Sequence, residues 1–133
     1  MSYVTVAAMV LRYGEREIRE LSDRSGAGAI DLAVVERAIA DAAAECDSWI
    51  AARWPVPVQA PSDRLRAVCA DIARYRLWAD GAPEHVRRAY DDAIAWLKAV
   101  AAGDAVPAAA PESAGAPAGP RARIDARPRL WTV

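Results

Sequence analysis

The stretch DLAVVERAIADAAAECDSWIAARW, residues 31–54, decides the fold. Val35, Ile39, Ala42, Cys46, Trp49 and Ile50 recur every three or four residues, so in a helix they share one apolar stripe. Asp31 stands just before the periodic run, where its side-chain oxygen can accept the unpaired N–H groups of a first turn. At the other end Trp54-Pro55-Val56-Pro57 stops the pattern, because each proline disfavours a helical residue before it. The stretch therefore predicts a helix over 32–54. Arg53 falls on its apolar stripe. A guanidinium there needs a carboxylate or backbone carbonyls, because an unpaired buried charge is costly, and a place near the helix end also suits a cation. Asp71, on the flank of the next long helix, is its candidate partner, within one chain or from a neighbouring subunit.

Two shorter helices precede this stretch. Thr5 is a plausible N-cap for a helix over 6–13, with Val6, Met9, Val10 and Tyr13 on one side and Gly14 ending it. A second helix over 15–22 carries Ile18 and Leu21. Ser22 to Ile30 (SDRSGAGAI) reads as a loop. Downstream, 55–61 is an extended connector, and Pro61-Ser62-Asp63 opens a helix over 62–79. Leu65, Val68, Cys69, Ile72, Tyr75 and Ala79 line one of its faces. Asp80-Gly81-Ala82-Pro83 is a turn. A last helix over 84–102 turns Val86, Tyr90, Ala93, Leu97 and Val100 inward, and Gly103 ends it. No segment alternates convincingly as a strand, so the fold class is all-α: a small bundle of two short and three longer helices.

The chain divides into three parts. Residues 1–103 form the helical body. Residues 104–120 (DAVPAAAPESAGAPAGP) are an Ala/Pro/Gly-rich linker with almost nothing to pack. Residues 121–133 are an extended arm carrying Arg121, Arg123, Arg127 and Arg129, followed at once by Leu130 and Trp131. Arginine and tryptophan dominate the energetics of desolvated contacts, and a large apolar pair at the end of a spacer has no solubility purpose. The arm is thus the candidate partner-binding element. With 133 residues there is room for one domain and a tail, and a formal charge of −1 argues against a body that binds polyanions generally. Lys98 is the only lysine, and an arginine-rich, alanine-rich composition is also what a GC-rich genome encodes. No signal peptide or membrane-length apolar run is present, and the chain is expected to be made in a cytoplasm with reduced thiols.

The sequence offers no catalytic, metal or cofactor site. His85 is the only histidine and lacks an oriented nucleophile, so it reads as an exposed first-turn residue. Cys46 and Cys69 fall on apolar faces of separate helices and read as buried thiols rather than metal ligands. Asp41 and Glu45 are one turn apart, but Arg37 one turn earlier makes an ion-pair ladder the simpler reading. Gly26-Ala27-Gly28 lacks the strand before it and the Lys-Ser/Thr after it that a phosphate loop requires.

Taken in order, several strings resemble one phage family. They are Tyr3-x-Thr5, Arg12-Tyr13-Gly14-Glu15-x-Glu17-Ile18, Leu21-Ser22-Asp23-Arg24 and Gly28-x-Ile30-Asp31. They continue through Ala38-Ile39-x-Asp41-Ala42-x-Ala44-Glu45-x-Asp47-Ser48-Trp49-Ile50 and Arg53-Trp54-x-Val56-Pro57. Asp71-Ile72-Ala73-Arg74-Tyr75-x-Leu77-Trp78 is the most specific, and Arg88-x-Tyr90-x-x-Ala93-Ile94-x-Trp96-Leu97 with Gly103 completes the set. Together they resemble the Mu-like phage head–tail connector proteins, and Arg127-Pro128-Arg129-Leu130-Trp131 resembles that family's terminal arm. The resemblance implies a non-enzymatic adaptor of the virion neck, assembled in the host cytoplasm. It implies a ring of copies of this chain, twelvefold like the portal beneath which it sits, that extends the DNA channel. It further implies docking of the arm on the portal, contact with a downstream neck, stopper or tail protein, and passage of DNA without sequence-specific binding; no membrane and no cofactor are expected. The competing reading is a small helical DNA-binding module, such as a terminase small subunit or a regulator, with the helices around Gly14 as a helix-turn-helix. The second of those helices (EREIRELS) mixes acids with its arginines, unlike a recognition helix.

Overall fold

The computed structural model describes residues 2–109. They form five helices: α1 (Val6–Tyr13), α2 (Glu15–Ser22), α3 (Leu32–Ile50), α4 (Asp63–Trp78) and α5 (Glu84–Ala102). Local chemistry sets their starts. The Thr5 hydroxyl accepts the Ala8 N–H at 3.1 Å, Asp31 accepts the Ala33 N–H at 3.1 Å, and Ser62 accepts the Leu65 N–H at 3.1 Å. Each satisfies a first-turn donor that has no partner within the helix. Gly14 alone separates α1 from α2. Its φ of 95° is a conformation that a side chain resists, and its N–H closes α1 on the Val10 carbonyl while its own carbonyl accepts Ile18 of α2. Gly103, with φ 88°, ends α5 in the left-handed conformation.

Helices α3, α4 and α5 pack against one another, and the α1–α2 hairpin lies on α3, with α2 also reaching α4. Met9, Ile18, Val35, Cys46, Ile50, Leu65, Val68, Ile72, Leu97 and Val100 are fully buried where these helices meet. Buried Ala42, Ala70, Ala73 and Ala93 let the three long helices approach closely. Size goes to the edges instead: Trp49, Trp54, Tyr90 and Trp96 pack half-buried on the rim of the core. Val6, Val10, Tyr13, Leu21 and Tyr75, expected on inner faces, are likewise half-buried.

Three local expectations are corrected. Helix α3 ends at Ile50, four residues short of the expected Trp54. Its last turn tightens into i→i+3 bonds, Ala52 N–H to Trp49 O and Arg53 N–H to Ile50 O, as helix ends commonly do before a proline-barred residue. Helix α4 ends at Trp78, and Ala79 is exposed rather than inward. Ala79 holds φ 58° and ψ −71°, and the Asp80 N–H reaches back to the Trp78 carbonyl. That is a γ-turn of the rare, strained hand, here on a residue with a Cβ. Finally, the segment after Gly103 does not leave the body at once. Pro107 is fully buried, Ser62 donates its N–H to the Pro107 carbonyl at 2.9 Å, and Ala109 donates to the Ala60 carbonyl at 2.6 Å. The antiparallel bridge Pro61↔Ala108 between them is isolated. Residues 105–109 are thus a strap on the 58–62 connector and belong to the body, not to a linker beginning at 104.

Candidate partner-docking surfaces

The arm residues Arg121, Arg123, Arg127, Arg129, Leu130 and Trp131 lie outside the described residues. The intrachain pair Arg53–Asp71 does not form. Because α3 stops at Ile50, Arg53 is exposed beyond its end, and its guanidinium lies against Gly103, where a Cβ would meet it at 2.8 Å. Asp71 instead accepts the Tyr13 hydroxyl at 2.6 Å.

That hydrogen bond belongs to a polar joint between the hairpin and α4. One turn after Asp71, Arg74 donates to both Glu17 oxygens, at 2.6 and 2.9 Å. Its guanidinium also stacks 4.4 Å from the Tyr13 ring centre. The fork geometry suits a carboxylate held from two sides, and Glu17 raises the basicity of Arg74. Burial, then the bond to Asp71, pushes the Tyr13 phenol up. The string Asp71-Ile72-Ala73-Arg74-Tyr75 therefore builds the body: two polar residues fasten the hairpin and Ile72 and Ala73 fill the core.

A second joint was not legible from spacing. Tyr3 donates its hydroxyl to Asp47 of α3 and accepts the Val58 N–H at 2.9 Å. Burial, followed by the Asp47 bond, pushes the Tyr3 phenol up to about 12. Its partners are 44 and 55 residues away in the chain, so no local pattern reports them.

Two open grooves flank these joints. The larger, about 650 Å³, runs between the first half of α3, the end of α4 and Tyr90 of α5. Its floor holds Tyr75 and Tyr90 stacked with ring centres 4.2 Å apart. Glu45 accepts Arg76 at 2.7 Å and the Tyr90 hydroxyl at 2.9 Å. Burial and that carboxylate push Tyr90 up to about 12. The expected Arg37–Asp41 rung is present at 3.8 Å, but Glu45 turns across to α4 instead of extending the ladder. The smaller groove, about 400 Å³, is walled by Tyr3, Val4, Ala8, Val58 and Pro61, with Arg12 and Arg66 on its rim. Leu11 on α1 is 88% exposed, and Leu32 at the start of α3 is 57% exposed.

The other residues singled out by sequence have quiet surroundings. His85 is exposed in the first turn of α5. Cys46 and Cys69 are buried free thiols, and the neighbouring Cys69 and burial together push the Cys46 thiol up. The N–H groups of Ala27 and Gly28, which a phosphate would need, are taken by Asp23 at 2.8 and 2.7 Å. Among the described residues no group of three or more acidic, cysteine or histidine side chains is placed to hold a metal ion, and no helix is long and apolar enough to cross a membrane.

Comparison with known proteins matches residues 3–125 to the family described as "Bacteriophage Mu, Gp36". The chain is 31% identical over 120 residues to "Gene product J" of Escherichia phage Mu, covering 90% of this chain and 85% of that protein. It is 30% identical over 101 residues to "Mu-like prophage FluMu protein gp36" of Haemophilus influenzae, covering 76% of this chain and 72% of that one. The chain belongs to the bacteriophage Mu Gp36 family.

Proposed function

We propose that this chain is a structural, non-enzymatic head–tail connector of a Mu-like phage virion. In this reading its copies form a ring beneath the portal that extends the DNA channel and joins capsid to tail. The arm after Pro120 docks on the portal through Arg121, Arg123, Arg127, Arg129, Leu130 and Trp131, and the opposite face of the ring receives the next neck protein. One observation carries the reading: a cross-braced helical body fastens its own C-terminal exit at Ala109, and the remaining chain ends in arginines and an indole. A rigid body with a tethered hook suits assembly, since a spacer of about ten residues already spans roughly 30 Å when extended. An arm that orders on docking loses conformational entropy, and repetition around a ring compensates through avidity.

Two surface features agree. Leu11 and Leu32 leave large side chains in solvent, as contacts between subunits would use. On α2, Arg16 and Arg19 are paired with Glu20 and Glu15 at 3.1 and 2.7 Å, which leaves little positive charge for a DNA phosphate backbone.

The test mixes the purified full-length chain with portal rings and follows the products by size exclusion and negative-stain imaging. The comparison is a chain ending at Pro120, which keeps the 105–109 strap. Rings of the full-length chain on the portal, lost on truncation or with Trp131→Ala, are expected. No association by the full-length chain, as by the truncated one, would overturn the connector reading.

A further inference from the structure

We infer, resting on the connector reading for the ring itself, that its copies join head to tail. Leu11 of one copy seats in the larger groove of the next, on the Tyr75–Tyr90 stack, and Arg12 pairs there with Asp41. Leu11 is the most exposed large apolar side chain among the described residues. Its neighbours on the helix surface are small: Ala7 and Ala8 stand one turn before it, and Gly14 follows at the helix end. Nothing lies within 4 Å of where a Cβ on Gly14 would point. A leucine in such a clearing stands proud of α1, and another surface can close around it.

The groove offers the matching hollow. Ala33 and Ala38 of α3 and Ala79 beyond α4 line it, and their short side chains leave the stacked rings of Tyr75 and Tyr90 only half-buried on its floor. An aliphatic side chain set on those rings leaves water and covers apolar surface on both partners. No residue of α1 lines this groove, so knob and hollow are separate surfaces of one body. A patch that fits a pocket elsewhere on the same molecule makes a heterologous contact, and its repetition closes a ring where the rotation allows. Charge fixes the register. Arg12, beside Leu11, pairs with no carboxylate among the described residues, whereas Asp41 on the groove wall holds Arg37 at 3.8 Å, the longest ion pair among them. Asp41 therefore has room for a second, closer guanidinium.

The test mixes two full-length variants, Ala7→Cys and Ala33→Cys, and links them with a short bismaleimide, which bridges thiols that are near but not touching. Both positions are exposed, one a turn from Leu11 and the other on the groove wall, and native Cys46 and Cys69 are buried. The control replaces Ala33→Cys with Ala95→Cys, an exposed α5 position that does not line the groove. Linkage of 7 to 33 should be at least tenfold faster than of 7 to 95, and adding Leu11→Ser to the first variant should remove the advantage. Arg12→Glu in the first variant should slow it severalfold, and Asp41→Lys in the second should restore it. Sedimentation of the parent chain and imaging of it on portal rings separate the two ways to fail. Assembly of the parent without preferred 7–33 linkage would overturn this contact and leave the connector reading standing, as would 7–7 linkage as the main product, which would give α1 to a two-fold contact. No assembly of the parent, alone or on portal rings, would overturn both.

Discussion

Replacing Arg74 with methionine tests the joint that holds the α1–α2 hairpin to the bundle. The Arg74 and Glu17 side chains keep only 15% and 25% of their exposure. Breaking a fully buried pair costs about 3–5 kcal/mol, whereas an exposed pair contributes less than about 1; this pair sits between them, at about 2 kcal/mol. Loss of the cation from the Tyr13 face adds about 0.5–1 kcal/mol. Methionine keeps most of the stem's packing, so the total is about 2–3 kcal/mol, a large share of the roughly 5–15 kcal/mol available to a small domain. Urea unfolding followed by far-UV circular dichroism reads it directly, and the melting temperature should fall by about 10–20 °C. Glu17→Gln alone and the double variant complete a cycle whose coupling should be about 1–2 kcal/mol. Arg74→Lys should recover only part of the loss, because an ammonium cannot fork onto both oxygens. A change below about 0.5 kcal/mol for Arg74→Met, or additivity in the cycle, would refute the joint as a source of stability.

Four further outcomes follow from the same geometry. Ala79→Gly should stabilise the body by about 1 kcal/mol in thermal melts, since glycine relieves the positive φ. Above pH 10 stability should fall: Tyr3 and Tyr90 have folded values raised to about 12, so their contribution is complete below the unfolded phenol value and is lost as pH climbs from about 10 to 12. Phenolate absorbance should show late steps that Tyr3→Phe and Tyr90→Phe each remove. A chain ending at Gly103 should be about 2–3 kcal/mol less stable than one ending at Ala109, through lost burial of Pro107 and two backbone hydrogen bonds. Leu11→Ser should leave urea unfolding within about 0.5 kcal/mol of the parent while weakening self-association in sedimentation, if copies meet through α1.

The bundle was legible because its signals are local. Thr5, Gly14, Asp31, Ser62 and Gly103 declare helix ends through chemistry spanning three or four residues, and the stripes through Ile39, Cys46, Ile72 and Leu97 declare the core by period. What stayed hidden was set by partners distant in sequence. Arg53 fell on an apolar stripe only if the helix reached it, and the tightened turn after Ile50 put it in solvent. Asp71 and Arg74 are polar residues one turn apart, and nothing in their spacing says that Tyr13 and Glu17 are their mates. The strap leaves no mark in the sequence because Ala105–Ala109 carries no periodicity; its burial follows from an edge on the connector that only the folded chain presents.

Ser62 gives the strap a mechanical meaning. Its hydroxyl caps α4 on Leu65 while its N–H holds the Pro107 carbonyl, so one residue joins the start of a central helix to the exit of the chain. A tug on the outgoing segment therefore arrives first at the head of α4, which packs on α2, α3 and α5, and not at the terminal turn of α5. The arrangement works as a cord grip does on a cable: tension is spread through the casing before it reaches the last, most easily unwound connection.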